Sequence, residues 1–185
     1  MNQIYNSQKE AISKISNIKI TSLKRLQVAG IENEGVYLYK DRIFKVSPAK
    51  KEFAAASRIK DKNFKNVVKV YNTYECCSYI DNDCNIVYKS YIIEEERLFR
   101  NRNSYVFDDL DVSSISLDIN RRLPYIVSVI NGIAELASVG IIHKDIHSMN
   151  IMLDKQNEVK IIDFGHTKIK KILPKINVRA KTIFI

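Results

Sequence analysis

The sequence predicts an α+β fold of two unequal lobes, a strand-rich first half and a helical second half. Three observations predict it. Short strand-like runs separated by turn residues fill the first half, a polar irregular stretch occupies residues 97–118, and a helix follows at Pro124 with a hairpin rich in acidic residues behind it. At 185 residues and 45% hydrophobic, the chain suits one domain or two small lobes with a packed core.

Taken in order, residues 1–24 mix Ile12, Ile15, Ile18 and Ile20 with polar residues, which predicts a short helix and then an extended segment. Residues 26–28, 35–39 and 42–46 read as strands, and Lys40-Asp41 makes a tight turn between the last two. Pro48 stands near a helix start, and residues 52–59 carry three alanines. Residues 67–74, Tyr79 and residues 85–94 predict further strands, with a turn at Asp81-Asn82-Asp83. Pro124 opens the long helix, Ile126, Val129, Ile130, Ile133 and Ala137 predict its buried face, and Gly140 ends it. Residues 151–153 and 159–162 flank Asp154-Lys155-Gln156-Asn157 as a second hairpin.

Charge narrows the partners. Thirty Lys and Arg against 21 Asp and Glu give a net +9, which favours nucleotide, nucleic acid, an acidic protein face or anionic lipid. A solvated lysine-rich surface gives the same figure, and both readings stand. Residues 166–185 hold Lys168, Lys170, Lys171, Lys175, Arg179 and Lys181 and no acid. No run approaches the roughly eighteen apolar residues of a membrane span, and Met1 to Tyr5 lack the layout of a secretory signal. Cys76, Cys77 and Cys84 have no histidine at zinc spacing and read as reduced thiols, so the expected location is the cytoplasm, a host cell's included.

Asp145, Asn150 and Asp163 carry the chemistry. A loop with one Asp and one Asn, followed by a hairpin ending in a second Asp, brings oxygen ligands to one spot, and oxygen is what magnesium prefers. Phosphoryl transfer needs such a metal, a carboxylate to hold it and a carboxylate to orient the attacking hydroxyl. His143-Lys144-Asp145-Ile146-His147-Ser148-Met149-Asn150 resembles the catalytic loop of protein kinases, and Asp163-Phe164-Gly165 resembles their metal-binding triplet.

The resemblance implies a bilobal kinase-like fold: an antiparallel sheet lobe with one helix, and a reduced helical lobe. It implies ATP and Mg2+ as cofactors. Asp145 would then orient the hydroxyl, Asn150 and Asp163 hold the metal, Lys45 hold the phosphates, and Glu52 pair with Lys45. Gly30, Gly35 and Val36 fall in the place of the phosphate-covering loop, which has two glycines where the family has three. Glu94 and Glu95 fall at the hinge, where main-chain groups would bond adenine. The implied boundaries are an extension at 1–21, the sheet lobe at 22–96, a linker at 97–122 and a minimal helical lobe at 123–185.

Three departures from the family bear on function. His147 stands where Ser/Thr kinases carry Lys, as in small-molecule phosphotransferases, where it would assist at the γ-phosphate or pack in the loop. Lys144 replaces an Arg that meets a regulatory phosphate, and Lys is the poorer bidentate partner. The sequence ends twenty residues after Gly165, without the family's peptide platform. Ile169, Ile172, Leu173 and Ile176 have helical spacing despite Pro174, and are expected to cap the 124–139 helix; the rival is a basic surface for a partner or membrane. The leading function is a minimal Ser/Thr-type protein kinase acting on a protein hydroxyl, with a protein partner of acidic character; nucleic acid is not favoured. A kinase-like binding or inhibitory protein and a small-molecule phosphotransferase or ATPase are the alternatives.

Overall fold

The computed structural model describes residues 4–26, 35–75, 78–80, 85–87, 90–99 and 119–171. The first half is built on a five-stranded antiparallel sheet. Its strands are β2 (Lys24–Leu26), β3 (Gly35–Tyr39), β4 (Arg42–Ser47), β5 (Val70–Glu75) and β8 (Tyr91–Glu96), in the order β2-β3-β4-β8-β5. The Lys40-Asp41 turn joins β3 to β4, with Lys40 at φ 52, the left-handed conformation such a turn needs. The expected strand over 85–94 is two pieces, β7 (Ile86–Val87) and β8, and the expected strand over 67–74 begins at Val70.

Residues 4–23 form a layer behind this sheet. Strand β1 (Ile4–Tyr5) pairs parallel with β6 (Ser78–Ile80), which pairs with β7. Helix α1 (Gln8–Ser16) starts at Ser7, whose hydroxyl accepts from Glu10 N, while Glu10 reaches back to Asn6 N at 2.8 Å. Those reciprocal bonds satisfy first-turn donors that a bare helix end would leave open. Ala11 and Ile12 then bury against Tyr37, Phe44, Val46, Tyr79 and Ile92.

On the front of the sheet, α2 (Lys50–Ile59) lays Ala55, Ala56 and Ile59 against Val67, Val70 and Ile93. The same core continues into the second half through Leu136, Val139, Ile141, Ile161 and Phe164. Helix α3 (Ile119–Ser138) is followed by β9 (Ile141–Ile142), the hairpin β10 (Ile151–Leu153) and β11 (Val159–Ile161), and β12 (Lys168–Ile169), which pairs with β9. The α+β architecture expected from the sequence is therefore present.

Two expectations for the long helix are corrected. It begins five residues before Pro124, which lies inside it, although proline there removes one main-chain hydrogen bond. Its buried side is only partly the expected stripe: Val129 packs half-buried against the core, but Ile126, Ile130 and Ile133 are 45%, 58% and 43% exposed, whereas Leu136, and Val139 just past the helix end, are buried. The helix turns Gly132 inward, where an added Cβ would come within 2.6 Å of Asn66 O and 2.8 Å of Ile161 Cδ1. Close approach at that glycine selects the side, and Glu135 fixes it by accepting from Lys65 N at 2.7 Å and Asn66 N at 2.8 Å. The turn at 81–83, the three cysteines, Gly30, residues 100–118 and the 172–185 part of the tail lie outside the described residues. No described helix is long and apolar enough to cross a membrane.

Candidate active site

Strand pairing decides which side chains meet. Lys45 on β4 stands opposite Val36 on β3 and Ile93 on β8. Alternation along a strand puts Ile43, Ile93 and Glu95 on the same side as Lys45, and Phe44, Ile92 and Glu94 on the other. Lys45 is buried and pairs with Glu52 of α2; its Nζ also lies 3.5 Å from Asp163 Oδ1. Burial would push the Lys45 ammonium down, but Glu52, then Asp163 and Glu95, outweigh it and hold it above the ordinary lysine range. Glu95 is pushed up to about 7, chiefly by burial and against the pull of Lys45, with Glu52 and Asp163 adding to the rise.

Helix α2 is held in the orientation that delivers Glu52. Arg58, six residues on, donates to Val139 O at 3.0 Å and Lys170 O at 2.8 Å, tying α2 to the end of α3 and to β12.

The loop after β9 is organised from beneath. His143 is buried; its Nε2 donates to Ile162 O at 2.9 Å and its Nδ1 accepts from Asp145 N at 3.3 Å. Burial holds its pKa down, so the neutral ring is favoured and both bonds fix one tautomer. Its ring meets Phe164 edge-on at 5.7 Å, so one residue couples the loop to the 163–165 triplet. Asn150 donates from Nδ2 to Asp145 O at 3.0 Å and to Asp145 Oδ2 at 3.1 Å. His147 Nε2 lies 3.5 Å from that same carboxylate oxygen, and its Nδ1 accepts from Met149 N at 3.2 Å. Lys144 and Asp163 adopt φ 71 and 64, strained for residues with a Cβ. Strain of this kind persists only where surrounding contacts enforce it, as they do at functional sites.

The donor set fits a hard divalent cation. Asn150 Nδ2 reaches Asp145 O and Oδ2 and also lies 3.0 Å from His147 Nε2, which leaves its Oδ1 outside these bonds. Asp163 Oδ1 accepts from Gly165 N at 3.2 Å, leaving the second carboxylate oxygen without a protein donor among the described residues. Ile162 N donates to Asn150 O at 3.0 Å, so the two oxygen-bearing residues are held on adjoining strand ends.

Below α2, Lys50, Lys51, Lys144, Lys168, His166 and Thr167 line a cavity of about 710 Å³, with no carboxylate among the described residues of its wall. The fold thus sets three further lysines, Lys50, Lys51 and Lys168, beside Lys144, which stands in place of the family's arginine.

The structure thus brings Lys45, Glu52, Asp163, Asp145, Asn150 and Val36 to one cleft. Gly35 opens β3 beside Val36. Glu94 and Glu95 are corrected in one respect. Both lie mid-sheet, paired with Phe44 and Ile43 on one side and with Asn72 and Val70 on the other. Their main-chain groups belong to the ladders rather than to adenine. The Glu94 side chain points to the back, where it pairs with Arg42 and accepts from Asn72 Nδ2 at 2.8 Å. Of the two, the Glu95 carboxyl is the one on the Lys45 side of the sheet. Sequence reasoning missed His143 and Arg58 as positioning residues: the first sat inside the motif, and nothing local marked the second.

Comparison with known proteins agrees with this geometry. Residues 33–183 match the protein kinase domain, and the chain belongs to that family. It is 34% identical over 67 residues, 36% of this chain, to the RGS domain-containing serine/threonine-protein kinase A of Dictyostelium discoideum. It is 38% identical over 60 residues, 32% of the chain, to a putative serine/threonine-protein kinase of Acanthamoeba polyphaga mimivirus. A dual serine/threonine and tyrosine protein kinase of Homo sapiens is 44% identical over 52 residues, 28% of the chain. These matches span only 6%, 9% and 6% of the relatives' own lengths.

Proposed function

We propose that the chain is an ATP- and magnesium-dependent protein kinase that phosphorylates a serine or threonine hydroxyl. The observation that carries this is the Lys45–Glu52 pair set beside Asp163, with Asp145 and Asn150 hydrogen-bonded in the loop next to it. Lys45 binds phosphate oxygens and Glu52 keeps it extended into the cleft. Asp145 accepts the hydrogen bond of the attacking hydroxyl and takes its proton, with Asn150 fixing the carboxylate's direction. Asn150 and Asp163 would hold magnesium, which supplies positive charge against the phosphoryl oxygens when bound. Val36 covers the nucleotide from above. His147, beside the same carboxylate oxygen, stands where it can meet a phosphate or the substrate. The relatives' names, two of them serine/threonine kinases, support the acceptor class.

Incubation with γ-labelled ATP and magnesium tests the reading. The wild type is expected to label itself or a protein substrate, and Asp145→Asn to lower that rate by about a hundredfold or more. Equal labelling by both sinks the mechanism. A second reading, a kinase-like body that binds an acidic partner, is favoured by the lysine-lined cavity. In that case Lys45→Ala and Asp163→Ala would leave the partner bound.

A further inference from the structure

The two sides of β3 serve different parts of the molecule. Val36 pairs with Lys45 and so stands on the cleft side. Its neighbours Gly35 and Tyr37 stand on the opposite side, towards α1. There Gln8, the first residue of α1, is held at both ends of its amide: Nε2 donates to Tyr79 Oη at 2.9 Å, and Tyr37 Oη donates to Oε1 at 3.0 Å. The same Oε1 occupies the space a Cβ on Gly35 would need, and that Cβ would also meet Tyr37 Cε2 at 3.0 Å. Gly35 is not among the residues with positive φ, so what it provides is room rather than backbone freedom.

We propose that Gln8 is a positioning residue for the nucleotide site: it grips β3 from behind, through Gly35 and Tyr37, and sets where Val36 stands over bound ATP. The proposal rests on the ATP-binding reading above. The tip of a free glutamine would swing aside cheaply. This one cannot move without giving up both tyrosine bonds, and α1 cannot slide because Ala11 and Ile12 are buried, at 1% and 0% exposure, in the same cluster as Tyr37 and Phe44. Displacement at Gly35 therefore passes to β3, whose next residue is Val36. The layer behind the sheet would in this way decide affinity in front of it.

The test is a double-mutant cycle read by calorimetric titration of the full chain with ATP and magnesium, well below the melting point of every variant. Gly35→Ala is expected to weaken binding about tenfold and Gln8→Ala about threefold, while the double variant binds no more weakly than Gln8→Ala alone, because removing the amide removes the severe overlap and also frees the Tyr37 ring, whose hydroxyl it held, to yield at its 3.0 Å contact. Independent effects, a double variant weakened about thirtyfold, overturn the proposal, since Gly35 would then act without Gln8. So does a Gln8→Ala chain that melts lower yet binds ATP as the wild type does, because its role would be structural only. Should Gly35→Ala not fold, the Gln8→Ala affinity decides alone. A wild-type chain that binds no ATP overturns the functional reading itself, a result the variants cannot imitate.

Discussion

The two faces of the five-stranded sheet are made of the same strands and solve opposite problems. The back face packs Tyr37, Phe44, Val46 and Ile92 against α1 and Tyr79, and Phe44 is fully buried. The front face carries Lys45 and Glu95 towards Glu52 and Asp163. Apolar burial on the back stabilises in proportion to the area removed from water. Charges on the front lose hydration, and only mutual pairing offsets that loss. The lesson is that the back is packed chiefly by apolar side chains, whereas the front sets a buried cation and carboxylates beside an apolar cluster at Val70 and Ile93 that offsets their cost.

Substitutions can break this contrast. Phe44→Ala should cost about 3–5 kcal/mol in chemical denaturation, as a large buried ring is replaced by a cavity. Lys45→Met should cost a similar amount, about 3–5 kcal/mol, because Glu52 is left buried and unpaired. The double variant Lys45→Met, Glu52→Met should then regain most of that loss while phosphoryl transfer stays abolished. Recovery of stability without recovery of labelling is the outcome that separates the faces; a double variant as unstable as the single one would mean that the pair itself holds the fold.

Glu95 sharpens the contrast through pH. Its carboxyl titrates near 7 in the fold against 4.5 ordinarily. Between those values the folded chain holds a proton that the unfolded chain has lost, so this group's contribution to stability falls as pH rises from about 4.5 to 7. Glu95→Gln cannot ionise. It should melt close to the wild type at pH 5 and be more stable at pH 8, by up to about 3 kcal/mol. Parallel pH profiles would show that the carboxyl is solvated. The smallest effect is expected at the edge of the back layer, where Ser7→Ala removes the α1 cap and should cost about 1 kcal/mol in thermal melting.

Motif residues were legible in the sequence because their spacing is local. The loop from His143 to Asn150 and the hairpin behind it bring three side chains together by short-range geometry, and the Lys40-Asp41 turn follows from the residues on either side of it. Lys45 and Glu52 were legible only through the family pattern, since seven residues of separation say nothing about burial. The buried side of α3 was not legible. Apolar residues lie on more than one side of that helix, so periodicity alone could not choose between them.

By itself, then, the sequence pointed to most strands of the central sheet and to the helices, to the turn between β3 and β4, and, through the family pattern, to the residues expected to meet a phosphate and a metal. Tertiary structure alone decided that Gly132 faces inward, that the main chain of Glu94 and Glu95 is taken up by the sheet, that burial pushes the Glu95 carboxyl up to about 7, and that Gln8 lies against Gly35. The physical reason is distance along the chain. Propensity and motif chemistry act over a few residues, whereas burial and close approach depend on groups that meet only when the chain has folded.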